Sequence, residues 1–380
     1  MAGPHRQEQE PASDEVTEVS PGILRMQLPI RMPGLGHVNM YALLDREGAT
    51  VVDPGLPGAA TWRAIQQHLK RAGLRIRDVH TVFVTHSHPD HFGGAVRLAR
   101  EAGARVVAHH GFAFGPAQAA EPPSEVSVDD LGRDAPSVSA GSASPESDRG
   151  PEGESRARPS GTATGSSPMP WGGPTPWGGA SPRPPLLRRV RWSFMRLLER
   201  GSFVPQVSDP VQHGDVLALG GREWFVVHTP GHTDDHVCLH DPDAGVFLAG
   251  DHVLPTITPH ISGLTRNRDP LRAFFYSLDR VAEIRGVDLV LPAHGHPFKD
   301  LPGRAQAIKR HHDERLRRVR EISREIGPAT VAAFSRRLFK PRSWGSMAES
   351  ETYAHLEHLR LGGLAEHWKN GANELVYQAH

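Results

Sequence analysis

Four side chains able to bind a metal, His86, His88, Asp90 and His91, stand together in the run Val82-Phe-Val-Thr-His-Ser-His-Pro-Asp-His91. Imidazole nitrogen and carboxylate oxygen suit Zn or another first-row divalent ion, and the chemistry such an ion brings is Lewis-acid activation of water. The apolar stretch from Val82 to Val84 predicts a buried strand that ends where the ligands begin, so one strand end and its loop can serve two ions. The bland alternative is a polar loop with coincidental histidines, and among 24 His in 380 residues some are bystanders. Ligands further along the chain separate the two readings.

The His-x-His-x-Asp-His spacing resembles the metal loop of the metallo-beta-lactamase superfamily, and four other stretches are similar to that family's motifs in the family's order. Asp53-Pro-Gly after Thr50-Val-Val matches the first, a support for the metal loop. In His228-Thr-Pro-Gly-His232-Thr-Asp-Asp-His236, His232 falls in the ligand position. Phe247-Leu-Ala-Gly-Asp251 resembles the motif whose Asp bridges the ions, and Val290-Leu-Pro-Ala-His294-Gly-His296 the last, with His294 as ligand. The resemblance implies an αββα sandwich of the α+β class and a centre of two divalent ions, Zn2+ first and Fe or Mn as alternatives. One ion would take His86, His88 and His232, the other Asp90, His91 and His294, with Asp251 between them. It also implies hydrolysis by a hydroxide shared between the ions. Asp90 would orient that hydroxide while ligating, and Tyr41, His260 and His296 are candidate donors to the oxyanion or leaving group.

Departures from better-known relatives narrow the substrate. The pairing of His91 with Asp251 sets the chain apart from beta-lactamases proper, and Ala293-His-Gly-His296 departs from the matching run of glyoxalase II. An acyl thioester or lactone is the expected substrate class. Cleavage of single-stranded RNA is the alternative, and an iron persulfide dioxygenase using the same ligands is the third reading.

Lys+Arg and Asp+Glu both number 43, which leaves no global basic field to attract nucleic acid or a membrane surface. The single Cys238 forms no internal disulfide and, within Val237-Cys-Leu-His, reads as a small buried hydrophobe. The first residues carry no signal-peptide core and no apolar run is long enough to span a bilayer, so a cytoplasmic enzyme is expected. Its partners would be a small acyl substrate, with RNA second and neither DNA nor membrane; a dimer is one admissible oligomeric state.

The elements that must position these residues follow from periodicity. Residues 1–19 read as a disordered polar tail and 20–301 as the metal domain. Strands are expected at 23–28, 41–44, 50–52, 216–219, 224–227, 237–239, 246–248 and 289–291, with a Gly/Pro loop at 32–36. Trp62, Ile65, Leu69 and Leu74 recur at helical spacing, as do Ala95, Leu98 and Ala102. An insert at 121–185 is rich in Pro, Gly, Ser and Ala, carries Pro-Trp-Gly-Gly at 170–173 and 176–179, and reads as a disordered linker. Residues 186–200 place Leu187, Val190, Phe194, Leu197 and Leu198 on one helical face, a covering helix or a lid over the metal cleft. Residues 302–380 read as helices at 303–326, 330–338 and 348–361 and a hairpin of 365–369 with 374–378. That pattern resembles the winged-helix extension of the superfamily branch containing a beta-lactamase-like endoribonuclease and fungal polyketide acyl-carrier thioesterases. Glu349, Glu351 and Glu357 on the third helix argue against DNA binding. The basic first helix, with Lys309, Arg310, Arg315, Arg317, Arg318 and Arg320, is a solvated face or an RNA path.

Overall fold

The computed structural model describes residues 6–32, 34–114, 175–178 and 203–380. Strands β1 (Val16–Ser20), β2 (Ile23–Met32), β3 (Leu35–Leu44), β4 (Ala49–Val52), β5 (Val79–Phe83), β6 (Arg105–His109) and β7 (Asp209–Val211) form one mixed sheet in chain order. A second sheet, ordered β12-β11-β10-β9-β8, holds β8 (Val216–Leu219), β9 (Arg222–His228), β10 (Val237–Asp241), β11 (Val246–Gly250) and β12 (Leu289–Pro292). Central strands such as β4 and β11 are buried along their whole length, because each sheet has a core on both faces.

Between the sheets, Ile23, Tyr41, Val52 and Phe83 meet Trp224, Leu239, Leu248 and Leu291. Outside the first sheet lie α1 (Ala59–Arg71), the short α2 (Pro89–Phe92) and α3 (Ala95–Ala102). There Trp62, Ile65, Leu69 and Leu98 pack on Met26, Leu28 and Val82. Outside the second sheet, α4 (Pro270–Ala282) and the start of α5 (Leu301–Ile326) bring Phe274, Leu278 and Ile308 against Cys238, Phe247 and Val290. The result is the αββα sandwich of the α+β class. Burial raises the Cys238 thiol to about 12, consistent with a packing role.

The chain ends in α6 (Val331–Leu338), α7 (Ser346–Leu361) and a small sheet ordered β13-β15-β14, from β13 (Ala329–Thr330), β14 (Ala365–Lys369) and β15 (Leu375–Ala379). These elements have their own cluster, including Phe334, Leu356 and Tyr377. Helix α5 serves both bodies: Leu301, Ala305 and Ile308 belong to the sandwich, Val319 and Ile322 to the C-terminal cluster. Among the described residues, no helix is long and apolar enough to cross a membrane.

Several expectations are corrected. Residues 6–19 are no free tail: Glu8 is fully buried, and its carboxylate accepts the backbone N–H groups of Thr256 at 2.7 Å and Ile257 at 3.1 Å and the Thr256 hydroxyl. Strands β2 and β3 run through most of the expected Gly/Pro loop. Part of the insert is anchored, since Trp177 is only 4% exposed inside the C-terminal cluster. Its indole N–H donates to Glu349 at 3.3 Å and its carbonyl accepts Leu375 N–H at 2.9 Å. The rest of 121–185 and the expected lid helix at 186–200 lie outside the described residues.

Candidate metal centre

The ligand-bearing loops leave the C-terminal ends of β5, β11 and β12 and the turn joining β9 to β10, and backbone polar groups from both sheets brace that rim. Asn39 N donates to Ala293 O at 2.6 Å, and its side-chain amide donates to Pro292 O and Gly295 O, both at 2.9 Å. Beside them, Asp53 adopts φ +52° and accepts Thr85 N–H at 2.9 Å, the Thr85 hydroxyl at 2.8 Å and His91 Nδ1–H at 2.9 Å. Helix α2 begins with Pro89 directly after His88 and carries Asp90 and His91 in a single turn.

Each imidazole is aimed by what its other nitrogen does. The Thr85 hydroxyl gives its proton to Asp53, so His86 Nδ1–H donates to Thr85 Oγ1 at 3.0 Å. His232 Nδ1–H donates to His260 O at 2.7 Å, and His294 Nδ1–H to His37 O at 2.6 Å. With these protons directed outward, the Nε2 atoms of His86, His91, His232 and His294 face inward, the arrangement that ligating imidazoles require. His88 presents Nδ1 instead, 3.0 Å from both His86 Nε2 and His232 Nε2.

Two groups result, each able to hold a metal ion: His86, His88, His232 and Asp251, then Asp90, His91 and His294. Asp251 lies between them, with Oδ2 3.5 Å from His91 Nε2 and from His232 Nε2 and Oδ1 3.4 Å from His294 Nε2. Asp90 Oδ2 is 3.6 Å from His91 Nε2 and from His294 Nε2. The backbone N–H of Asp251 donates to His236 Nε2 at 3.1 Å. A Cβ on the preceding Gly250, at φ +51°, would stand 2.7 Å from that nitrogen.

The chemistry of these residues fits bound metal. His91 Nε2, His294 Nε2 and Asp251 Oδ1 are buried without a hydrogen-bond partner, a costly state that a shared cation relieves. Burial holds His86, His88 and His232 in the neutral, ligating form, with His88 pulled down to about 3. Around Asp251, burial opposes charge but the carboxylates outweigh it: Asp251 and Asp90 lift His294 to about 10 and raise His91 well above its ordinary value. Those two imidazoliums in turn hold Asp90 and Asp251 below the usual carboxylate range against burial. A cation is the natural replacement for those protons.

The other expected catalytic residues are placed differently. Tyr41 is 2% exposed in the inter-sheet core and donates its hydroxyl to Pro292 O at 2.8 Å, which corrects its expected role as an oxyanion donor. His296 bonds Glu10 through Nε2 at 2.7 Å and accepts from Arg25 at Nδ1 at 3.2 Å, so both ring nitrogens are committed away from the centre. His260 reaches the centre through its backbone carbonyl, while its ring Nδ1 faces Glu351 at 3.2 Å. The sequence reading missed His37, Thr85 and His236 as supports. Only His236 and Thr85 carried a signal, by lying inside the recognised motifs.

Residues 33–294 match the Metallo-beta-lactamase superfamily. The lactamase-like protein nscB of Aspergillus fumigatus is 29% identical over 113 residues, which cover 30% of this chain and 32% of that protein. The human acyl-coenzyme A thioesterase MBLAC2 is 36% identical over 91 residues, 23% of this chain and 31% of that protein. The chain thus spans about a third of the length of these relatives. A metallo-beta-lactamase family protein from Thermus thermophilus superposes with a TM-score of 0.67 at 26% identity, covering 96% of this chain and all of the other. With five motifs converging on one rim of an αββα sandwich, the chain belongs to the metallo-beta-lactamase superfamily, whose members are generally hydrolases.

Proposed function

We propose that the protein is a dinuclear zinc hydrolase acting on an acyl thioester or lactone. The observation that carries this reading is Asp251, whose two oxygens address both groups of inward-facing imidazoles. When bound, ions at these positions supply Lewis acidity and bring the pKa of water to about 7. The chain's own residues hold the donors ready: Asp53, Thr85 and the carbonyls of His37 and His260 lock the imidazole tautomers before any substrate arrives. Asp90, with an oxygen toward both His91 and His294, serves as ligand and as the acceptor that orients the attacking water.

Two observations favour an acyl substrate over RNA. One relative with local similarity is an acyl-coenzyme A thioesterase. Three arginines of the expected RNA path are engaged within the chain: Arg315 with Glu351 at 2.5 Å, Arg318 with Glu321 and Glu325, and Arg320 with His380 O. We read the C-terminal body as a winged-helix module and the enzyme as cytoplasmic. The test is metal analysis combined with hydrolysis assays on acyl thioesters, lactones and single-stranded RNA across a salt series. Thioester or lactone turnover nearly indifferent to salt is expected. RNA cleavage that falls steeply with salt and is lost on replacing Arg315, Arg317, Arg318 and Arg320 would overturn the assignment.

A further inference from the structure

The loop whose His260 carbonyl accepts the His232 Nδ1–H is held by the C-terminal body. Ser350, Glu351 and Ala354 of α7 grip it from one side. Gly263 N–H donates to Ser350 O at 3.2 Å and to Ser350 Oγ at 3.0 Å, and Ser262 Oγ lies 3.1 Å from Ser350 Oγ. Ile261 is fully buried in the cluster that contains Ala354. The fit is close: a Cβ on Gly263 would come within 2.5 Å of Tyr353 Cδ1 and 2.9 Å of Ser350 O.

At the centre of this contact, Glu351 faces His260 Nδ1 at 3.2 Å through Oε2 and Arg315 at 2.5 Å through Oε1. Arg315 is fixed in turn over the Phe339 ring, 4.7 Å from its centroid. The Glu351 side chain is 13% exposed. Burial alone would raise its pKa, but the hydrogen bond from His260 and the charge of Arg315 hold it at about 2, so the group facing His260 is a carboxylate. One residue earlier than Ile261, the same His260 takes the His232 Nδ1–H on its carbonyl at 2.7 Å.

We propose that Glu351 is a positioning residue for the metal centre, acting through His260 on the orientation of His232. The inference rests on the reading of His232 as a ligand. Its physical content is that the carbonyl accepting Nδ1–H sets both the ring's tilt and the basicity of the nitrogen facing the ion, and partners of this kind govern metal affinity. His232 is thereby a ligand whose support comes from the C-terminal body, which makes that body part of the centre. Glu351 also stands near His312 and His355, a group of the composition that can hold a metal. The positions taken by Arg315 and His260 on the carboxylate, and the 3.1 Å contact between His312 Nδ1 and His355 Nε2, read instead as a hydrogen-bonded brace between α5 and α7.

The test uses the full chain as wild type, Glu351→Ala, Glu351→Gln and, as a control on the exposed face of α5, Arg318→Ala. Each is stripped and reloaded with Zn2+ or Co2+. The readouts are ions bound per chain, the Kd by chelator competition, the visible absorption of the Co2+ form, and melting of the stripped protein. Expected are the wild-type ion count at saturation, a Kd raised roughly 10-fold in Glu351→Ala with a shifted Co2+ spectrum, and an intermediate Glu351→Gln, which keeps an oxygen for His260. A folded Glu351→Ala with unchanged Kd and spectrum but lower melting would overturn the proposal, leaving Glu351 a brace only. Loss of one further ion would overturn it too, making Glu351 a ligand itself. A wild-type chain that binds no ion would instead refute the reading of the centre on which the proposal rests.

Discussion

Asp53 and His91 are joined by a 2.9 Å hydrogen bond between side chains that are almost wholly buried. The same carboxylate takes two bonds from Thr85, so one acidic group fixes both the start of the metal loop and the ring of a candidate ligand near its end. Asp53→Asn keeps the shape and tolerates the left-handed backbone. It should weaken metal affinity about 10- to 100-fold while leaving activity recoverable with excess Zn2+, as read by chelator competition and turnover against metal concentration. Activity beyond rescue by metal would move Asp53 into the reaction itself.

Asp251→Ala and His232→Ala should behave otherwise. Each removes a donor that faces the centre, so turnover should be lost at any metal concentration while circular dichroism stays that of the folded chain. Equal rescue of Asp251→Ala and Asp53→Asn by excess metal would contradict the placement of Asp251 between the two groups.

Asp235 offers a pH test. It is 3% exposed, accepts the Ser87 hydroxyl at 3.0 Å, and burial lifts its pKa from 3.8 to about 6. A carboxyl whose folded pKa is raised stabilises the fold only while protonated, so its contribution is complete below pH 3.8 and is lost as pH rises through about 6. Asp235→Asn should therefore match wild type in urea unfolding at pH 4 and exceed it at pH 8, by at most about 3 kcal/mol. An advantage that is the same at both pH values would discount the titration.

Glu8 is the counterpart at the N-terminus. It takes the N–H groups of Thr256 and Ile257 while Arg304 takes the carbonyls of Leu254 and Ile257, both at 2.6 Å. Glu8→Ala takes the acceptor from two part-buried backbone donors and should lower stability by about 1 to 2 kcal/mol. Melting of Glu8→Ala and of a chain lacking the first ten residues checks this, and both should melt lower by a similar amount.

Trp177→Ala should cost about 3 kcal/mol in the C-terminal cluster, the range for truncating a buried aromatic, and leave kcat unchanged. Deleting 121–185 should reproduce that loss of stability. A deletion as stable as wild type would mean that the Trp177 contact contributes nothing.

The ligands were legible because their chemistry is local. A His or Asp at fixed spacing beyond an apolar strand end needs only a residue type and a position, and the five runs around Asp53, His86, His232, Asp251 and His294 carry both. Helix α4 has a local signal as well, since Asp269-Pro270 opens it and Asp269 caps it by accepting from Arg272 N. Other features had no local trace. The acceptors that set the imidazole tautomers include the backbone carbonyls of His37 and His260, and every residue has a carbonyl; only the crossing of β3 against the end of β12, or of α7 against the loop after β11, selects which one. Tyr41 and His296 had the right chemistry for donors, yet their neighbours, Pro292 on one side and Glu10 on the other, use those groups elsewhere. Glu8 and Trp177 read as disordered, and Glu351 as no more than one acid of a helix, because each finds its partners far along the chain, and burial of a charge or a ring is decided where distant segments meet.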